Sequence, residues 1–108
     1  MIEVRYYVTE EGRSPYAEWF SILDPAARAK VATAIVRIGQ GNTSNIKSVG
    51  NGVFEHRINF GPGYRVYFGR DGDTVVLLLT GGTKKGQQRD IDAATDFWRA
   101  YKRSKRAG

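Results

Sequence analysis

The sequence predicts an α+β domain in which helices pack against one antiparallel sheet, in the order β-α-α-β-β-β-α. Three observations lead there. The N-terminus alternates polar and apolar residues, and two Xaa-Pro pairs then open stretches with apolar residues at three-to-four spacing. After these, residues 53–81 read as three strands parted by glycine-bearing turns. Strands grouped together after the helices favour a helix-on-sheet arrangement over a parallel βαβ repeat. At 108 residues the chain fits one domain, 1–108, with a single modest core.

Each element has its own signal. IEVRYYVT, residues 2–9, alternates and is expected to be the first strand. Ser14-Pro15 supplies an N-cap and an N1 proline for a short helix carrying Tyr16, Trp19, Phe20 and Leu23. Asp24-Pro25 repeats the device for a longer helix, with Ala27, Val31, Ala34, Ile35 and Ile38 on one stripe and an end at Gly39 or Gly41. The run GNTSNIKSVGNG, residues 41–52, is rich in Gly, Asn and Ser and reads as a flexible connection.

VFEHRINF then leads through a GPG turn into YRVYFGR, and a DGD turn leads into the apolar strand TVVLLLTGG, which completes a three-stranded meander. The last strand is apolar on both faces, so it is expected to be central. From about Gln87 to Lys105 a final helix places Ile91, Ala94, Trp98 and Tyr101 on one face.

Composition narrows the function. With no cysteine there is no disulfide framework and no thiolate metal site, and a single histidine argues against a histidine metal cluster, so no metal or cofactor is expected. No apolar run reaches bilayer-spanning length and the N-terminus has no signal-peptide core, which makes a cytoplasmic protein without membrane contact the simplest expectation. The net charge of +6 is uneven: residues 55–108 hold eleven Lys/Arg against six Asp/Glu, residues 1–54 only six against five. That bias points to a polyanionic partner such as nucleic acid, although the tail YKRSKRAG supplies four of the eleven and could serve solubility alone.

The segment EHRINFGPGYRV, residues 55–66, concentrates this charge. If Gly61-Pro62-Gly63 is a three-residue loop, Phe60 pairs with Tyr64, Ile58 with Val66 and His56 with Phe68. Phe54, His56, Ile58, Phe60, Tyr64, Val66 and Phe68 then form a core face. Glu55, Arg57, Asn59, Arg65 and Tyr67 form a polar concave face able to meet a ligand. In this register His56 is a hydrogen-bonded packing residue rather than a catalytic base, and Tyr16, Trp19, Phe20, Phe97 and Trp98 are core or partner-facing aromatics.

Just past the last strand, GGTKKGQQRD places Lys84 and Lys85 beside a helix start, where phosphate is attracted. Ordinary solvated lysines would look the same. Cleavage of RNA by its own 2′-OH needs a base, an acid and positive charge on the phosphorane. Glu55 as base, Arg57 and Arg65 as phosphate clamp, and Lys84 or Lys85 as charge stabiliser or acid suit those tasks. A Glu beside two arginines is equally an ion pair that holds a surface together.

The succession WF, LDPAARAK, IKSVGNGVFEHRINFGPGYRVYF and LLLTGGTKKGQQRDIDAA resembles the RelE/ParE toxin superfamily, in its HigB-like, phage-derived addiction-module killer branch. The resemblance runs from about Tyr6 to Trp98. It is most specific from Glu55 through Gly61-Pro62-Gly63-Tyr64-Arg65 to Tyr67, and in the stretch with Lys84, Gln88, Asp90 and Ile91.

It implies the β-α-α-β-β-β-α fold and the toxin of a type II toxin–antitoxin system. Partners would be a helix-turn-helix antitoxin, mRNA on the ribosome, and operator DNA through the antitoxin complex. The implied activity is ribosome-dependent, metal-independent mRNA cleavage that inhibits translation and arrests growth. Arg65 matches the arginine at the scissile phosphate, and Lys84 or Lys85 the basic residue after the last strand. Asn59, Tyr67, Lys47 and Gln88 are expected to add RNA contacts.

Glu55 and Arg57 stand where RelE carries lysines, and Gln87 and Gln88 where it carries a catalytic tyrosine, so the pattern departs at the acid and base. Two other classes stay open: a ParE-like gyrase poison, and an antitoxin-binding corepressor without enzymatic activity.

Overall fold

The first two helices begin where their prolines put them. In the structure, a computed structural model that describes residues 2–107, α1 (Pro15–Ser21) and α2 (Pro25–Gly39) each carry proline at the helix start. Ser14 Oγ accepts from the Ala17 amide at 3.2 Å, and Asp24 Oδ1 accepts from the Ala27 amide at 2.8 Å. Each cap satisfies an N–H that has no partner inside its helix.

Five strands form one sheet: β1 (Glu3–Tyr6), β2 (Ile46–Gly50), β3 (Val53–Ile58), β4 (Tyr64–Asp71) and β5 (Val75–Thr83), in the order β1-β5-β4-β3-β2. A single 3-10 turn, Lys84–Gly86, then leads into α3 (Gln87–Ala107). Strand β5 lies inside the sheet, between β1 and β4, and is buried on both faces, as its unbroken apolar run implies.

Three expectations need correcting. The sheet is mixed rather than antiparallel, because β1 runs parallel to β5 with Glu3 opposite Val75. The supposed connection at residues 41–52 contains β2, which pairs antiparallel to β3. Its composition is that of turns because turns bracket it: Asn51 (φ 57°) and Gly52 (φ 82°) make a two-residue hairpin loop with positive φ at both central positions, which right-handed strand twist favours.

The β3–β4 register is also displaced by two residues. Ile58 faces Tyr64, Arg57 faces Arg65 and Glu55 faces Tyr67, leaving a five-residue loop, Asn59–Gly63, in place of the three-residue turn. A displacement of two keeps every side chain on its expected face, since strand side chains alternate with period two.

Helices cover both faces of the sheet. On one side Tyr16 of α1 and Val31, Ala34 and Ile38 of α2 pack on Ile58, Val66, Phe68, Val76 and Leu78. On the other, Ala94 and Trp98 of α3 pack on Val53, Tyr67, Leu77 and Leu79. The Trp98 ring lies so close to β4 that a Cβ on Gly69 would stand 2.3 Å from its Cε3. Among the described residues, no helix is long and apolar enough to cross a membrane.

Candidate nucleic-acid interface

Strand pairing arranges the charged residues in two rows on the α3 side of the sheet. One row runs Lys47, Glu55, Tyr67, Thr80 across β2 to β5, and the next runs Arg57, Arg65, Gly82 across β3 to β5. Arginines directly opposite each other repel. Glu55 offsets this: its Oε1 accepts from Arg57 Nε at 3.1 Å, and its Oε2 lies 3.5 Å from Arg65 Nε.

The first turn of α3 closes over the cluster. Gln87 Nε2 donates to Glu55 Oε2 at 2.7 Å. Glu55 and Tyr67 are thereby completely buried, and Arg65 is 6% exposed. The open concave polar face expected for Glu55, Arg65 and Tyr67 is therefore not present there, because α3 lies on it. Arg57 remains exposed.

Burial alone would raise the Glu55 carboxyl. Hydrogen bonds from Gln87 and Arg57, helped by the adjacent Tyr67 hydroxyl and the Arg65 charge, instead hold it below the ordinary carboxylate range. The Tyr67 phenol is pushed well above its ordinary value by burial and then by the Glu55 charge. Asp90, in the first turn of α3, is also raised by burial, with Arg89 opposing.

Two glycines bring the parts together. Gly63 (φ 77°) adopts the left-handed backbone that closes the loop, and a Cβ there would meet Arg65 Nη1 at 3.3 Å and Lys84 Cβ at 3.4 Å. Arg65 Nη1 donates to the Gly63 carbonyl at 2.8 Å, and the Lys84 amide approaches the Pro62 carbonyl at 3.4 Å. At Gly82 the bare backbone makes room for the Asp90 carboxylate, which a Cβ would overlap at 1.9 Å.

The exposed Lys84 thus stands beside the loop that Arg65 supports, and Lys85, also exposed, follows it in the 3-10 turn. Lys47 is exposed on β2 opposite Glu55, and Gln88 is exposed and donates to Asp92 at 3.0 Å. Asn59 is not beside Arg65: the longer loop carries it to a cleft on the α2 side, with Lys30, Arg37 and His56. His56 points to that α2 side, as the strand alternation predicts, but its buried Nδ1 has no hydrogen-bond partner among the described residues, so the expected hydrogen-bonded packing role is not met at that atom.

Gln87 and Asp90 join the site with no role expected of them from the sequence. Their spacing after the Gly81-Gly82 pair was a signal, since two glycines ending an apolar strand announce a close approach by another element. Among the described residues, no group of three His, Cys, Asp or Glu side chains could hold a metal ion.

In comparisons with known proteins, residues 18–103 match the family described as "Phage derived protein Gp49-like (DUF891)". An uncharacterized protein of Haemophilus influenzae (strain ATCC 51907 / DSM 11121 / KW20 / Rd) is 44% identical over 80 residues, covering 73% of this chain and 81% of that protein.

Proposed function

This chain belongs to the Gp49-like family of phage-derived proteins, a family of RelE/ParE-type toxins of toxin–antitoxin systems, and from that premise we propose that it is a metal-independent, ribosome-dependent mRNA endoribonuclease of the HigB-like branch. Its partners in this reading are a helix-turn-helix antitoxin, mRNA in the ribosomal decoding site, and operator DNA reached through the antitoxin complex. The observation that carries the proposal is the meeting of Arg65 and Lys84 at the Gly63 loop, with Arg57 opposite Arg65 on β3 and Lys85 next to Lys84 in the chain.

The reaction is attack of a ribose 2′-oxygen on the adjacent phosphorus. A P–O bond forms there, the bond to the 5′-oxygen breaks, and a 2′,3′-cyclic phosphate and a 5′-hydroxyl result. Charge builds on the non-bridging oxygens. Arg65, held under the loop, Lys84 at its rim and Lys85 next to it supply fixed positive charge there, at low reorganisation cost. Lys84 or Lys85 also serves as the acid that protonates the leaving oxygen.

Glu55 accepts from Arg57 and Gln87, pairs with Arg65 at 3.5 Å and is fully buried, which suits it to positioning Arg57 and Arg65 rather than to taking a proton. Asp90, with its carboxyl raised by burial, has the better character for a general base. The exposed Lys47 and Gln88 extend the RNA contact.

The test is primer extension on a defined mRNA after brief induction of wild type or Arg65→Ala, with and without a translation inhibitor. Cuts that need translation and vanish in the variant support the reading. Growth arrest with intact mRNA refutes it.

A further inference from the structure

A second polar cavity lies on the face of the sheet away from Glu55. It is a cleft of about 250 Å³ between α2 and the end of β3, lined by Lys30, Thr33 and Arg37 of α2 and by Asn45, His56 and Asn59. Arg57 also reaches its rim, and among the described residues no carboxylate lines it. Lys30 Nζ is steadied 5.4 Å from the Phe60 ring centroid, beside the opening.

The floor is unusual for a protein interior. His56 is 5% exposed, and its Nδ1 is buried without a hydrogen-bond partner. Among the described residues three buried side-chain polar atoms lack a partner, His56 Nδ1, Arg65 Nε and Tyr67 Oη, and each is costly enough to call for a water, an ion or a ligand. Burial and then the Arg37 charge hold the imidazole below its ordinary value, so it is neutral and can accept or donate a hydrogen bond.

A cationic opening with no acid to neutralise it, over a neutral imidazole with unused bonding capacity, calls for a compact anion rich in acceptors. We propose that this cleft binds a phosphate group, held by Lys30 and Arg37 from α2, with Thr33 and Asn59 on its walls and His56 at its floor. The group is either free phosphate or one backbone phosphate of an RNA strand. This inference does not rest on the proposed nuclease activity: apart from Arg57 at its rim, the cleft shares no residue with the cluster of Glu55, Arg65 and Gln87.

His56 is the chain's sole histidine, so its imidazole signals report on the cleft without assignment. The experiment follows these signals by NMR in tag-free protein. One titration uses sodium phosphate at constant ionic strength; another uses an uncleavable 2′-O-methyl oligoribonucleotide without terminal phosphate.

A saturable displacement is expected, together with a rise of the imidazole pKa by about one unit when the anion is bound. Saturation by phosphate alone identifies a free-phosphate site, and saturation by the oligonucleotide at lower concentration identifies an RNA contact; either supports the proposal. In the double variant Lys30→Gln/Arg37→Gln, which alters only exposed positions of α2, affinity is expected to fall at least about tenfold with the thermal midpoint unchanged. No saturable displacement by either titrant, or the same displacement in the double variant, would overturn it.

Discussion

Arg57 and Arg65 face each other directly across the β3–β4 ladder, and the carboxylate that reconciles them, Glu55, is completely buried. Two like charges at one rung are tolerable only because a third residue, two positions along β3, reaches both guanidinium groups. Gln87 then fixes that carboxylate from α3, so the cationic edge of the sheet and the covering helix are one unit.

Removal of the Glu55 charge should therefore unsettle the fold. Glu55→Gln leaves Arg65 buried without its counter-charge, and loss of one partner of a buried pair costs about 3–5 kcal/mol. Exposed Arg57 can relax into solvent, which places the expected loss near the lower end. Urea unfolding of the variant against wild type measures it, and an unchanged midpoint would show that the ion cluster does not support the sheet.

Acid should weaken the protein in two stages. His56 is held below its ordinary 6.5, so the unfolded chain takes a proton before the folded one and stability falls as pH drops through that value. Glu55 is held below its ordinary 4.5, so its contribution is complete above that pH and is lost beneath it as the folded carboxylate protonates. Asp90, raised from 3.8, acts in the opposite sense and offsets part of the second loss. Urea midpoints taken against pH in phosphate-free buffer should show both stages, and His56→Gln should flatten the first.

Gly69→Ala tests the packing of α3. Its new methyl group would stand 2.3 Å from the Trp98 ring, which is buried between β4 and α3 and has little room to move. Overpacking of this kind costs about 1–3 kcal/mol. Thermal unfolding should register the loss, and a neutral result would mean that α3 shifts freely on the sheet.

Lys84→Ala with Lys85→Ala tests the exposed half of the interface. Both side chains are exposed, so stability should change by less than about 0.5 kcal/mol. Affinity for an uncleavable oligoribonucleotide should fall, and the dependence of log affinity on log salt should become shallower by about one to two. An unchanged salt dependence would remove both lysines from the RNA contact.

Much of the architecture was legible because its signals are local. Ser14-Pro15 and Asp24-Pro25 announce their helices, and the unbroken apolar run of β5 announces a strand inside the sheet. Strand β2 was obscured because only Ile46 and Val49 are apolar in a polar edge strand, and pairing with β3 overrides its composition. The Asn51-Gly52 pair was nevertheless a hairpin signal in plain sight.

The candidate site was legible in its residue types and faces, but not in its burial. Alternation assigns Glu55, Arg65 and Tyr67 to one side of the sheet. Nothing in alternation says that the first turn of α3 lies on that side, since the Gln87–Glu55 contact joins residues far apart in the chain. The same long-range ignorance concealed the α2 cleft, where the loop delivers Asn59.

Ribosome-dependent cleavage is tested with purified protein on ribosomes programmed with a defined mRNA, with the same mRNA free in solution as control. Cleavage of the ribosome-bound message only is expected, leaving 2′,3′-cyclic phosphate ends, with wild type active and folded Arg65→Lys at least about a hundredfold slower because lysine cannot hold the Gly63 carbonyl and Glu55 at once and so leaves the charge misplaced. Intact ribosome-bound mRNA under conditions where the protein arrests growth, or undiminished cleavage by Arg65→Lys, would contradict it.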